Sequence, residues 1–207
     1  MIDNDLILTI IPWVSEISFF AGLLPQIFLN YKIKSAAGLS DVYLILYFSA
    51  YVINIFYVYG LDLTSAHKAV APLYLFAVTI MIFQKFFYNN VLANFKAAKL
   101  YYFDFIILLV FIPFVFMFPQ TIAHAAGWAL IVMWTLYQFP QIFKIYRNKS
   151  VAGFSFLFVS LIGIGNVVEF IVAMILKLPI QTIFITIRGM IIYLVYCFQF
   201  WKYRKPL

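Results

Sequence analysis

The sequence predicts an all-α membrane protein: seven transmembrane helices arranged as two parallel three-helix bundles joined by a linker helix. Three observations carry that prediction. Of 207 residues, 66% are hydrophobic, 21% aromatic and only 10% charged, whereas a soluble globule is nearer half apolar and needs more polar surface than this chain has. Apolar stretches of about 18 or more residues, enough to cross a bilayer as a helix, occur near 6–30, 39–60, 68–88, 101–118, 121–146, 154–176 and 179–201. The third observation is a repeat: Pro25-Gln26-Ile27-Phe28-x-x-Tyr31-x-x-Lys34-Ser35-x-Ala37-Gly38-x-Ser40 returns 115 residues later as Pro140-Gln141-Ile142-Phe143-x-x-Tyr146-x-x-Lys149-Ser150-x-Ala152-Gly153-x-Ser155, the mark of an internal duplication.

The same offset pairs Trp13 with Trp128, and Phe83, Gln84 and Tyr88 with Phe198, Gln199 and Tyr203, so the repeated unit runs from about residue 12 to about residue 89. Each unit holds three spans, and a direct repeat of three would emerge inverted in the membrane. Span four has no counterpart in the duplication and supplies the missing crossing. The chain accordingly divides into a first bundle, residues 1–95, a linker helix, 96–120, and a second bundle, 121–207.

Span one follows an acidic start, Asp3 and Asp5, without a small-residue cleavage site, and reads as a retained helix rather than a signal peptide. Toward its end Pro25, like Pro140 in span five, lacks an N–H and crowds the carbonyl four residues earlier, which predicts a kink and a gating hinge. Gln26 and Gln141 are placed to bond the backbone exposed nearby, including the freed carbonyls of Ala21 and Leu136. Spans two and six open with Ser40 and Ser155 as N-caps, each after a glycine, Gly38 or Gly153, that permits a tight turn. Pro72 and Pro113 lack the duplicated context and read as static kinks. Trp13 and Trp128 fit interfacial anchors near the ends of spans one and five.

Charge placement sets the topology. Lys32, Lys34, Lys85, Lys96, Lys99, Lys144, Arg147, Lys149, Lys202, Arg204 and Lys205 all fall on one side of the seven-span layout, against Lys68 and Lys177 on the other. The positive-inside bias then puts the N-terminus outside and the C-terminus in the cytosol, in a bacterial inner membrane or an organellar one. The net charge of +7 is thereby a topology signal, with no basic stripe for nucleic acid. Cys197 reads as packing, and the sequon at Asn148 falls on the cytosolic side, where it would not be glycosylated. His67 and His124 are expected near the outer surface without nearby Cys or His partners. Neither a metal nor a cofactor is expected, nor an enzyme.

Polar residues inside spans are costly in hydrocarbon and commonly line a cavity. Arg188 sits about nine residues into span seven, near the midplane at about 1.5 Å per residue. Glu16 is similarly deep in span one. Glu169 and Asn166 share one face of span six, as their repeat mates Asn54 and Tyr51 share one face of span two. These residues, with Tyr74 and Trp134, form the expected solute site; Tyr137 is a further candidate. Arg188 paired with Glu16 or Glu169 as a structural ion pair stays open as an alternative. Asp41 opens span two, where a carboxylate favours the helix N-terminus, and Asp104 reads as an interface residue.

The Pro-Gln pair, followed by Tyr, Lys-Ser and Gly-x-Ser, resembles the motif of the PQ-loop superfamily, which includes SWEET and SemiSWEET carriers, cystinosin-like amino-acid exporters and the KDEL receptor. The resemblance covers nearly the whole chain, and the span ends at Phe83-Gln84 and Phe198-Gln199 are more similar to the cystinosin-like branch. It implies seven helices in the SWEET-like arrangement, built from parallel repeats with the solute site at their interface, and transport by alternating access. It also implies a proton-coupling role for Asp41, although here the residue follows Gly38-Leu39-Ser40 directly, one position earlier than in that branch.

One buried cation and two buried acids match the two charges of an amino acid or similar zwitterion, the preferred solute class. A sugar uniporter of SWEET type and a KDEL-receptor-like protein binding a peptide terminus through Arg188 are the alternatives. The expected partners are a small-molecule solute and the lipid bilayer, with a homo-oligomer left open and no nucleic acid.

Overall fold

The computed structural model describes residues 4–89, 99, 101–102, 106 and 119–203. Asp3, most of span four with Asp104 and Pro113, Lys96, Arg204 and Lys205 lie outside the described residues. Among the described residues there is no strand, and the helices are α1 (Asn4–Ile33), α2 (Asp41–Gly60), α3 (Ser65–Asn89), α4 (Pro119–Leu136), α5 (Gln138–Asn148), α6 (Phe156–Ile175) and α7 (Ile180–Tyr203). With α4 and α5 taken together, six helical segments are long and apolar enough to cross a membrane, and the protein is an integral membrane protein. Large apolar side chains such as Phe28, Phe87, Leu194 and Trp201 point outward, where lipid tails are as apolar as they are.

Span five departs from expectation: it is two helices, interrupted at Tyr137. Pro140 has no N–H to give the Leu136 carbonyl and its ring crowds that carbonyl, so the ladder breaks one turn earlier. α1, by contrast, runs unbroken through Pro12 and Pro25. The two prolines of the duplicated motif therefore have different local outcomes.

Within the first repeat α3 lies against both α1 and α2; within the second, α7 lies against α4, α5 and α6. Across the repeats α1 packs on α6 and α2 on α4. The buried centre between them is rich in tyrosine, with Tyr43, Tyr47, Tyr51, Tyr74, Tyr137 and Tyr196 all in one cluster. In the turn between α2 and α3, Asp62 Oδ1 accepts from Lys68 Nζ at 2.7 Å. That hydrogen bond and the lysine's charge pull the exposed Asp62 carboxyl below the usual carboxylate range.

The Tyr-x-x-Lys part of the duplicated motif has a local cause. Lys34 just after α1 and Lys149 just after α5 adopt the left-handed conformation, with φ of 50° and 49°, which ends each helix. Each ammonium then sits 3.6 Å from the ring centre of the tyrosine three residues earlier, Tyr31 or Tyr146, a cation–π contact.

Candidate functional site

The PQ glutamines reach across to the other repeat, although Gln26 Nε2 also donates to Asn30 Oδ1 of its own helix at 2.8 Å. Gln26 Nε2 donates to the Gly153 carbonyl at 3.0 Å and its Oε1 accepts from Ser155 N–H at 2.8 Å. Gln141 repeats this in the other direction, donating to Gly38 O at 3.0 Å and accepting from Ser40 N–H at 2.9 Å. A primary amide carries a donor and an acceptor, so one side chain satisfies the carbonyl and the N–H of a Gly-x-Ser turn. The glutamine and the turn recur together because each glutamine needs the other repeat's turn. Both glutamines are fully buried.

The glycines are required by this crossing rather than by a tight turn alone. A Cβ on Gly38 would lie 2.3 Å from Gly153 O, and Gly153 has φ +75°. Ser155 is the expected N-cap, its Oγ accepting from Phe158 N–H at 3.2 Å. Ser40 takes the same position without a side-chain capping bond.

Two lysines reinforce only the first turn. Lys85, counted among the positive-side charges near the end of span three, is buried in α3 and donates to Ala36 O at 3.1 Å and Leu39 O at 2.6 Å. Its long stem lies along the apolar interior while its head reaches the two turn carbonyls, of which Ala36 O also accepts from Leu39 N–H at 3.0 Å. Lys144 on α5 donates to Ala37 O and, at 2.8 Å, to Leu39 O. Their repeat mates are Phe200 and Leu29, so these two positions give the second turn no such clamp. Asp41 belongs to this end, with Oδ1 3.7 Å from Lys85 Nζ and 3.4 Å from Tyr101 OH, and takes no part in lining the cavity. Behind the turns, Tyr137 stacks on Tyr47 with ring centres 4.5 Å apart and meets Tyr43 at 5.2 Å. The crossed turns and this tyrosine stack lie over the PQ end of the interface between the repeats.

Beyond them, a cavity of about 90 Å³ lies between the repeats. Arg188, Glu169, Asn166, Asn54, Glu16, Tyr51, Tyr74 and Trp134 all line it, as does Tyr137. Helical spacing brings Tyr51 and Asn54 in from α2, Asn166 and Glu169 from α6. Tyr51 stacks on Tyr74 at 5.1 Å. The repeat mates of that pair are Asn166 and Gly189, and here the glycine has the Asn166 amide against it: a Cβ on Gly189 would fall 1.8 Å from Asn166 Oδ1.

The acids are not paired with the arginine. His67, expected at the surface, is buried on α3 with Nε2 2.9 Å from Glu169 Oε1 and 3.4 Å from Glu16 Oε1. Ser15 Oγ donates to Glu169 Oε2 at 2.7 Å, Tyr74 OH to Glu16 Oε2 at 2.6 Å, and Thr64 Oγ1 lies 2.7 Å from His67 Nδ1. Arg188 instead donates from Nη1 to the Trp134 carbonyl at 2.7 Å, with its guanidinium 5.9 Å from the Trp134 ring centre. Trp134 is in the last turn of α4, where the helix break leaves carbonyls without intrahelical donors. The Nε of Arg188 is buried with no hydrogen-bond partner.

A family model described as the PQ loop repeat matches residues 7–66 and 122–182. The chain belongs to the PQ-loop family. No curated protein matches it. Members of the PQ-loop family are mostly transporters or receptors rather than enzymes, and the family's repeat falls on the two segments that carry the crossed glutamines and most of the cavity's polar side chains.

Proposed function

We propose that this PQ-loop protein is an alternating-access carrier of a small polar solute, an amino acid or similar zwitterion. The observation that supports this most is the separation of charge within one cavity: a guanidinium with an unused Nε on α7, and two carboxylates on α1 and α6 that it does not pair with. A solute carboxylate fits the first through charge-assisted hydrogen bonds and a solute ammonium fits the second. Tyr51, Tyr74 and Trp134 supply ring faces between them. The chemistry lies in binding and release, and no catalytic group is invoked.

Alternating access needs a seal that opens, and the crossed PQ turns are that seal. Two bundles, α1–α3 and α4–α7, rock about the cavity, and the expected linker span, 96–120, is the seventh crossing that lets the six described spans stand as two parallel triplets. Pro140, at the break between α4 and α5, is the hinge of the second repeat, and Pro25 that of the first. A sugar is the second reading, favoured by the Asn54 and Asn166 amides beside aromatic walls.

The direct test is thermal stabilisation of purified protein by amino acids, sugars and nucleosides. An amino acid at 100 times its dissociation constant should stabilise by about 2.7 kcal/mol. Stabilisation by sugars alone would replace the zwitterion.

Orientation follows from the lysine and arginine bias, with the PQ turns cytosolic. A cysteine at Asp62 in a Cys197→Ala background should react with a membrane-impermeant maleimide added outside intact cells, while one at Ala37 should react only after permeabilisation. The reverse labelling would invert the topology.

A further inference from the structure

We propose that His67 Nε2, Glu16 Oε1 and Glu169 Oε1 form a three-point seat for a primary ammonium, which a proton on His67 closes, so that solute binding releases a proton. This rests on the reading of the cavity as a zwitterion site and gives its acidic pole a mechanism. The three atoms belong to three helices, α1, α3 and α6, and lie within 4.8 Å of one another. A primary ammonium has three donors and no acceptor. It can use all three atoms at once only if Nε2 offers a lone pair.

The surroundings permit that change without leaving a polar group unmatched. In imidazolium, Nε2–H is shared toward the two carboxylates, 2.9 and 3.4 Å away, and Nδ1–H donates to Thr64 Oγ1. When the Nε2 proton leaves, Nδ1–H keeps its bond to Thr64 and Nε2 becomes an acceptor facing the carboxylates. The outer oxygens of both acids stay held by Ser15 and Tyr74, so the inner ones keep their aim. The proton therefore moves from Nε2 to water as the ammonium nitrogen takes its place, one positive charge replacing another.

The other titratable or charged groups lining the cavity are Tyr47, Tyr51, Tyr57, Tyr74, Tyr137 and Arg188. Tyrosines ordinarily keep their protons at neutral pH and arginine keeps its charge. His67 is the side chain whose ordinary titration spans about pH 5 to 8, and linkage makes the effect reciprocal: whatever the ammonium does to the proton, the proton does to the ammonium.

The test is calorimetric titration of the purified protein with each of the twenty proteinogenic amino acids, in buffers of different ionisation enthalpy, which counts protons released per solute bound. The expected result is release approaching one proton under acidic conditions, with affinity rising up to about tenfold per pH unit there, and no binding of the same amino acid as its N,N,N-trimethyl derivative. His67→Gln should bind more weakly with no proton release and a flat pH profile. If His67→Gln fails to fold, Thr64→Val, which removes the Nδ1–H acceptor, should shift the profile. Amino-acid binding without proton release, or equal release from His67→Gln, overturns this inference and leaves the carrier reading standing. Absence of binding by any amino acid overturns the zwitterion reading and this inference with it. Stoichiometric Zn²⁺ in the parent, lost in His67→Gln, would make the seat a metal site instead.

Discussion

Arg188→Gln should weaken amino-acid binding by roughly 10- to 100-fold, the scale of losing a hydrogen bond to a charged partner at about 1.5–3 kcal/mol. Arg188→Lys should recover little of it. The guanidinium spends Nη1 on the Trp134 carbonyl and keeps Nε, buried and unpartnered, for a second acceptor; a lysine ammonium is one compact head that cannot span both. On the carrier reading the same side chain would join a solute carboxylate to the end of α4, beside the break at Tyr137. Competition binding checks this: the parent should prefer a free amino acid over its C-terminal amide, and Arg188→Gln should lose that preference. If the variant folds and still discriminates against the amide, Arg188 only holds the Trp134 carbonyl, and the sugar reading moves ahead.

Most of the helical framework was legible because its signals are long-range and redundant. Six of the expected spans match described segments to within a few residues, since hydrophobic length is what a bilayer selects. Missed was the interruption at Tyr137. The sequence flags Pro140 and Pro25 equally, yet only one of them follows a break, so the outcome depends on tertiary surroundings rather than on the proline alone. Lys85 was misplaced for a related reason: a lysine near a span end reads as solvated, and only the fold reveals that carbonyls of the neighbouring turn lie within its reach.

The cavity's polar residues were legible one by one, because an ionisable group inside a span is rare and costly. Their partners were not. Depth alone leaves an Arg188–acid pair open as an alternative, but His67 comes between the acids from α3 and takes both. One signal was available: the repeat mate of His67 is Thr182, which lines the same cavity and bonds Tyr57 OH at 2.9 Å. Two polar residues at equivalent positions argue for a shared inward face, as the Asn54 and Glu169 pair did. The crossed glutamines, by contrast, could not be read from sequence, because the partner of each lies more than a hundred residues away.

Gly38→Ala should shift the protein toward a form open on the PQ side. The added Cβ would sit 2.3 Å from Gly153 O and 2.7 Å from Gly153 Cα, against backbone that has no rotamer to turn aside. The turns can separate only by lengthening bonds that cross between the repeats, the four from the glutamines and the two from Lys144, and on the carrier reading those bonds are the seal. Overpacking of this kind costs about 1–3 kcal/mol, borne only by the sealed form, which converts to a population shift of roughly 5- to 150-fold. Spin labels at Ala37 and Ala152, exposed residues just before each glycine, should report a longer distance in Gly38→Ala than in the parent. Solute binding, which depends on the cavity beyond the tyrosines, should change less than the transport rate. A parental distance distribution with lowered thermal stability would mean that the turns yield in place, and that the contact between Gly38 and Gly153 is packing rather than a gate.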